Sequence, residues 1–258
     1  MHTKASLLQE LRALLPSNAT VLMHSSCKSL GPMENGADTL LDALTEHFSD
    51  GLVVLPTHTW ATVGKRQPVY DVLESPVCVG ILPELFRKRP GVHRSWHPTH
   101  SVAAYGADAE AFVRGDENCH TPCARGSAWG RLYDRDAYAL LVGVELNRMT
   151  FFHGVEEWAN VPERVDTEHP LRLVIVPPEG PRVIGEFAPH MADSSQLFPK
   201  AEDLLLQEGA MRKARLGDAT VRIVSCRKSA DVLLRVLKDD PFLFGMPRSE
   251  ERRVGKEC

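Results

Sequence analysis

The 258-residue sequence has no large excess of charge of either sign: its net charge is -4 and its pI about 6.3. Proteins that bind a phosphate backbone carry a basic stripe or patch, so the composition does not point to nucleic acid. No apolar stretch approaches the roughly 20 residues that cross a bilayer, so no membrane partner is expected. The segment from Met1 to Pro16 is amphipathic and lacks the apolar run and small-residue cleavage site of a signal peptide. The expected compartment is cytoplasmic. Cysteine is sparse and scattered (Cys27, Cys78, Cys119, Cys123, Cys226, Cys258), which in a chain this long predicts reduced thiols and not a disulfide framework. The loop after the first strand carries neither Gly-x-x-x-x-Gly-Lys-Ser/Thr nor Gly-x-Gly-x-x-Gly, which disfavours a nucleoside triphosphate or dinucleotide held in those ways.

What is present is an ordinary core-forming composition, 43% hydrophobic and 25% charged. Leucines 7, 8, 11, 14 and 15 recur at helical spacing over Ala5 to Leu15, and Pro16 ends the run. A strand is expected at Thr20 to His24, then a hydroxyl-rich loop, Ser25 to Gly31, then a helix from Ala37 to Phe48. Loop backbone N–H groups near a helix start favour an anion. Further strands are expected at Gly51 to Leu55 and Val102 to Gly106, and further helices at Gly80 to Lys88 and Ala107 to Arg114. The polar stretch between Trp60 and Pro76 and the segment Thr121 to Gly130 read as loops. Later come a hairpin (Leu171 to Val176 with Arg182 to Phe187), a helix at Ala201 to Glu208, a strand at Asp218 to Cys226 and a last helix at Ala230 to Leu237. Strands alternating with helices predict an α/β protein.

The stretch Ala139 to Trp158 joins a buried strand, Ala139 to Val144, to a helix opening at or near Thr150, a residue type that can cap free backbone N–H groups. His153 and Glu156 are three apart and share a helix face. A carboxylate holding one imidazole nitrogen leaves the other as a base beyond the strand end, where α/β sheets bind ligands. The same spacing also describes an ordinary surface pair. His93, His97 and His100 lie close together with Cys119, His120 and Cys123 nearby, yet neither His-Glu-x-x-His nor Cys-x-x-Cys occurs. No metal is therefore expected, and these histidines are read as a pocket wall. A metal-dependent hydrolase using His93, His97 and His100 is the rival reading. Cys123 reads as an inert thiol.

Residues 248–258 are charged, lack apolar periodicity and resemble an in-frame translated sequencing adaptor. They are expected to be a cloning-derived tail on a single domain spanning 1–247.

Taken together, His24-Ser25-Ser26 through Ser29-Leu30-Gly31, then Arg94-Ser95 with His97-Pro98 and Ser101, then Thr150-x-x-His153-x-x-Glu156 resemble the aminoglycoside 3-N-acetyltransferase family. The likeness covers roughly Val21 to Val161. It implies the α/β antibiotic N-acetyltransferase-like fold, a central mixed sheet flanked by helices, distinct from GCN5-type acetyltransferases. It implies acetyl-coenzyme A as cosubstrate and an aminoglycoside as acceptor. Catalytic positions by this resemblance are His153 as base, Glu156, His24 and Thr150. Coenzyme A would be held by Ser25, Ser26, Lys28, Ser29, Leu30 and Gly31, with His97 and Ser101. The acidic and aromatic residues Tyr70, Asp71, Glu157 and Asp193 are expected to face the cationic acceptor. The residues fit this chemistry, because a protonated amine is no nucleophile and an imidazole with a pKa of ~6.5 is suited to remove its proton. Candidate donors to the thioester oxygen are the Thr150 hydroxyl, the backbone near Ser26, and His24. A non-catalytic coenzyme A or sugar-binding relative is the remaining alternative.

Overall fold

Among the described residues, eighteen α-helices and strands alternate broadly as the sequence leads one to expect. In chain order they are α1 (Lys4–Leu14), β1 (Thr20–Ser25), α2 (Ala37–His47), β2 (Leu52–Pro56), β3 (Val69–Asp71), α3 (Ile81–Phe86), β4 (His93–Arg94), β5 (Val102–Gly106) and α4 (Ala109–Val113). There follow α5 (Ala128–Asp134), β6 (Tyr138–Val142), α6 (Phe151–Trp158), β7 (Leu171–Val176), β8 (Val183–Phe187), α7 (Glu202–Gln207), β9 (Met211–Leu216), β10 (Ala219–Ser225) and α8 (Cys226–Asp239). The computed structural model describes residues 1–191 and 194–245, so the tail at 248–258 lies outside the described residues. Among the described residues no helix is long and apolar enough to cross a membrane.

Seven strands form one mixed sheet in the order β4-β5-β2-β1-β6-β10-β9. Its centre is parallel, with β1 between β2 and β6, and both flanks are antiparallel. The central strands are apolar at nearly every position because both their faces are covered. Leu22 of β1, Leu52 and Val54 of β2, and Ala139 and Leu141 of β6 join one core with α4, α5, α6 and α8. Their neighbours Val21, Met23, Val53, Leu55, Leu140 and Val142 point the other way, into the core under α1, α2 and α3. The amphipathic leucines of α1 supply Leu7, Leu8 and Leu11 to that second core, and Thr3 caps the helix by accepting the Ser6 N–H at 3.1 Å.

A second sheet, β3-β7-β8, closes over a small cluster of its own containing Val63, Tyr70, Val72, Leu173, Ile175 and Phe187. The stretch between Trp60 and Pro76 is thus not merely a polar loop: β3 runs through it. Three residues carry too little periodicity to be read as a strand, and pairing with β7 is what holds them extended. Likewise Ala128–Asp134 forms α5, where a turn-rich loop was expected. Ser127 caps it by accepting the Trp129 N–H at 3.2 Å, and the buried Asp116 carboxylate accepts the Ala128 N–H at 2.9 Å. The charged strand β9 also escaped the apolar pattern, because it is an edge strand buried only at its two ends, Met211 and Leu216, with Arg212, Lys213 and Arg215 exposed between them.

Gly143 ends β6 with φ +64°, and a Cβ there would lie 2.3 Å from the Ser29 Cβ. Only glycine lets the strand leave the sheet this close to the loop after β1. Gly143→Ala should therefore destabilise the protein by at least about 1–3 kcal/mol, read as a lowered midpoint in denaturant unfolding; an unchanged midpoint would mean the turn can relax freely.

Candidate active site

The three parallel strands all deliver their carboxyl ends to one cavity of about 980 Å³. β1 ends in His24 and Ser25, β2 runs on into Thr57-His58-Thr59, and β6 turns at Gly143 toward α6. Ligands of α/β proteins bind at such strand ends, because loops there can diverge and expose polar groups. His24, His58, His100, His153 and His190 all line this cavity, together with Ser25, Ser26, Asn147, Arg148 and Thr150. Trp60, 55% exposed, also lines it.

His153 rises from the first turn of α6. Its Nδ1 lies 3.3 Å from Glu156 Oε2, so the pair expected from helical spacing is made. Glu156 is only 1% exposed, and two further groups secure it. Arg164 Nε donates to Oε1 at 2.8 Å, Ser194 Oγ donates to Oε2 at 2.6 Å, and Arg164 also donates to the Gly245 carbonyl at 2.7 Å. Burial alone would push the Glu156 carboxyl up, but His153, Ser194 and Arg164 outweigh it and hold it below its ordinary value. The carboxylate stays ionised and orients the ring with Nδ1–H as donor, leaving Nε2 as the lone-pair nitrogen.

The other histidines are neutral for a common reason. Burial, with Arg148 nearby, lowers His24 to about 3, and burial likewise lowers His97 to about 3. Burial and the neighbouring imidazoles hold His58 and His100 well below the usual range, and His190 is lowered in the same way. Two buried nitrogens, His24 Nε2 and His58 Nδ1, have no hydrogen-bond partner among the described residues, and both rings line the cavity. Orphaned polar atoms in a cavity wall are the mark of a site that completes itself with a ligand or water.

Thr150 does not cap α6 as its position suggested; its own backbone is helical, and its hydroxyl lies 3.2 Å from His58 Nε2. The Ser26 N–H is bonded to the Val142 carbonyl at 2.9 Å, which removes it as a donor to a substrate. Other residues assigned to ligands serve the scaffold instead. His97 accepts the His100 N–H on Nδ1 at 2.9 Å and bonds the Thr121 carbonyl through Nε2 at 3.1 Å, so both ring nitrogens are used and it does not line the cavity. Ser101 is buried, donating to the Thr57 carbonyl at 2.7 Å. Leu30 is fully buried in the core, Ser29 bonds the Gly143 carbonyl, Lys28 is exposed away from the cavity lining, and Gly31 (φ +81°) turns the chain beside Asp218. Of the stretch Ser25 to Gly31, Ser25 at the end of β1 and Ser26 after it line the cavity, and the rest do not.

The acceptor residues fare similarly. Tyr70 is fully buried in the small sheet with its hydroxyl donating to the Ser95 carbonyl at 2.9 Å, so it cannot face a substrate. Asp71 Oδ1 accepts the Leu73 and Glu74 N–H groups and shapes a turn. Glu157 accepts the Cys123 N–H at 2.8 Å and holds His190 Nε2 at 3.1 Å. Asp193 lies outside the described residues. The histidine trio of the metal reading does not converge: His93 is exposed on the edge strand β4, and His97 has no nitrogen to spare. Cys123 is buried, and burial with the Glu157 carboxylate pushes its thiol well up, as an inert thiol requires.

Sequence reasoning did not assign His58, Arg148, His190, Ser194 or Arg164 to the site. His58 had a signal, since it follows the second parallel strand as directly as His24 ends the first. Ser194 and His190 had none, because they arrive from a distant segment, and Arg164, eight residues from Glu156, sits in an irregular loop with no period to place it. Arg94, noted in the sequence, is a buried clamp: it donates to the Thr57, Val72 and Ser75 carbonyls and ties the loop after β2 to the small sheet.

Comparison with known proteins converges on one family. The family model described as aminoglycoside 3-N-acetyltransferase matches residues 22–238. Aminoglycoside N(3)-acetyltransferase VII of Streptomyces paromomycinus is 30% identical, with 99% of this chain and 93% of that protein covered. The crystal structure of aminoglycoside acetyltransferase AAC(3)-IVa, apoenzyme, matches with a TM-score of 0.80 at 28% identity, covering 96% of this chain and 93% of that one. AAC-IIIb, solved as a binary complex with CoASH, shares the fold with a TM-score of 0.79 at 23% identity, covering 95% of this chain and 98% of that one.

The neutral histidines make stability acid-sensitive. Each binds a proton in the unfolded chain below about pH 6.5 but resists it when folded, so stability is fully present above that pH and falls as pH drops below it. The slope is up to about 1.4 kcal/mol per pH unit per histidine. Denaturant melts at pH 7.5, 6.5 and 5.5 should show midpoints falling only below pH 6.5; a midpoint constant throughout would mean these rings titrate freely in the folded protein.

Proposed function

The chain belongs to the aminoglycoside 3-N-acetyltransferase family, and on that premise we propose that it transfers an acetyl group from acetyl-coenzyme A to the 3-amine of an aminoglycoside, with His153 as the general base. The observation that carries the base assignment is the His153 ring lining the cavity at the parallel strand ends, with Nδ1 committed to Glu156 and Nε2 left as the lone-pair nitrogen. Acetyl-coenzyme A supplies an activated acyl thioester, so no covalent acyl-enzyme is required and holding both substrates together provides the proximity. The cavity suits such a pair of substrates: Ser25, Ser26, Asn147 and Arg148 offer hydroxyl, amide and guanidinium groups for a pyrophosphate, and His24 and His58 offer orphaned polar atoms.

His153 Nε2 takes the proton from the attacking nitrogen, and Glu156 stabilises the imidazolium that forms. As charge grows on the thioester oxygen, the Thr150 hydroxyl is the best-prepared donor of the three considered. His58 Nε2–H donates to Thr150 Oγ1, which frees the threonine proton for the cavity and leaves His58 Nδ1 as the partnerless acceptor. Acetylation turns a cationic amine into a neutral amide, and loss of that charge from the drug is the basis for the antibiotic resistance we infer.

A thiol-release assay of acetyl-coenzyme A with a panel of aminoglycosides tests this directly. His153→Ala should lower kcat by roughly 10²- to 10⁴-fold while leaving binding of acetyl-coenzyme A intact by calorimetry, and Glu156→Gln should cost less, since the base remains. Parental turnover by His153→Ala would remove the base assignment. Binding of both ligands with no thiol release by the parent protein would favour a non-catalytic relative.

A further inference from the structure

α6 carries two consecutive carboxylates, and each holds a histidine of the cavity wall. Glu156 takes His153, and Glu157 takes His190, which reaches the site from the loop after β8. The two rings lie 4.5 Å apart, inclined at 47°. We propose that His190 is a second proton acceptor of the reaction: it removes the proton that keeps the acceptor nitrogen an ammonium ion, while His153 takes the proton released when the freed amine attacks. This deepens the acetyltransferase reading and rests on it.

The chemistry calls for two acceptors. An alkylammonium, with a pKa near ~10, must lose one proton before its nitrogen has a lone pair, and the nitrogen carries a second surplus proton once the N–C bond has formed. In the proposed sequence the ammonium gives its first proton to His190. The amine then bonds to the carbonyl carbon of the thioester, and the nitrogen gives its second proton to His153. The C–S bond breaks, and the departing sulfur takes that proton from His153 and leaves as a thiol. His190 returns its proton to solvent. The sum is ammonium plus thioester giving amide, thiol and one free proton, with no oxidant, metal or further reactant.

The geometry suits His190 to this part. Its Nε2 is 3.1 Å from Glu157 Oε1, so Nε2–H is the donor and Nδ1 keeps the lone pair. Glu157 is itself fixed by the Cys123 N–H at 2.8 Å, which anchors the carboxylate that stabilises a cationic His190. The groups that bear on His190 are Glu157, Glu156 and His153 from α6, and His100 from the loop before β5, its ring 5.0 Å away. His58, in the same cavity wall, and His97 behind it also feel the charge of His190, and Cys123 is held neutral. Burial keeps His190 neutral in the resting protein, ready to accept. Two imidazolium rings at 4.5 Å repel, so His190 sheds its proton before His153 charges, which sets the order of the steps.

The test compares acceptors that differ only in amine basicity. For an aliphatic amino sugar at pH 7, His190→Gln should lower kcat/KM by at least about tenfold, and the deficit should shrink as pH rises toward the acceptor's own pKa. For an alkoxyamine analogue, already neutral at pH 7, His190→Gln should leave kcat/KM nearly unchanged, whereas His153→Gln should be slow with both. Glu157→Gln, which keeps an oxygen for the Cys123 N–H, should show the same dependence on acceptor basicity in milder form and guards against a folding defect in the first variant. Independently of turnover, imidazole NMR of the ligand-free protein should show His190 titrating at higher pH in His153→Gln than in the parent, because a like-charged neighbour is gone. Equal losses with both acceptors, parental rates throughout, or an unmoved His190 titration would overturn the proposal. A parent protein that acetylates no acceptor would instead overturn the acetyltransferase reading.

Discussion

The Glu156 carboxylate is the point on which the site depends. It is buried, it is ionised, and it joins three separate parts of the chain: its own helix α6 with His153 one turn before it, Arg164 from the following loop, and Ser194 from the turn before α7. Burying a charge without partners costs several kcal/mol, so the fold must bring Arg164 and Ser194 to it. Once they are there, the same contacts set the His153 ring in one tautomer and one direction. Holding the core together and aiming the base are thus one interaction, which is why the loop after α6 belongs to the site, and the segment after β8 with it although it lies far off in sequence.

A second constraint is the way histidine is used. Five rings line the cavity, and a sixth, His97, stands behind them with both nitrogens bonded to backbone groups. Burial keeps most of them neutral near physiological pH, which avoids mutual repulsion and gives the cavity donors and acceptors without net charge. Among the described residues, the carboxylates nearest this wall, Glu156 and Glu157, stand behind it, each holding a histidine. Their negative charge therefore acts on the acceptor through imidazoles that can become cationic in turn. Seen this way, Glu157 is matched to the same task as Glu156, and its expected contact with a cationic sugar is replaced by a contact with His190.

Much of the architecture was legible from local pattern. The apolar runs at β1, β2 and β6 announced strands covered on both faces, the leucine spacing of α1 and the helix of α2 were plain, and His153 with Glu156 followed from helical spacing alone. What failed was of two kinds. Short or half-buried elements such as β3, α5 and β9 have too few residues in register to rise above their surroundings, and only pairing or capping by distant groups holds them. Residues assigned by motif, such as His97, Ser101 and Leu30, and Tyr70, assigned by residue type, are packed and bonded within the fold, because a motif or a residue type does not record whether a side chain faces a ligand or a neighbouring loop.

By itself, then, the sequence determined the α/β alternation, the parallel strand ends as the place for a site, and one histidine steadied by one acid, since each of these depends on residues within a turn or a strand of one another. The tertiary structure alone decided the company that histidine keeps: the Arg164 and Ser194 contacts, the His58–Thr150 pair, and His190 on Glu157. Those partners come from the loops after β2, α6 and β8 and the turn before α7; Arg164 is eight residues from Glu156, but the other contacts join residues tens of positions apart and arise from closing the sheets over one another, which no local periodicity encodes.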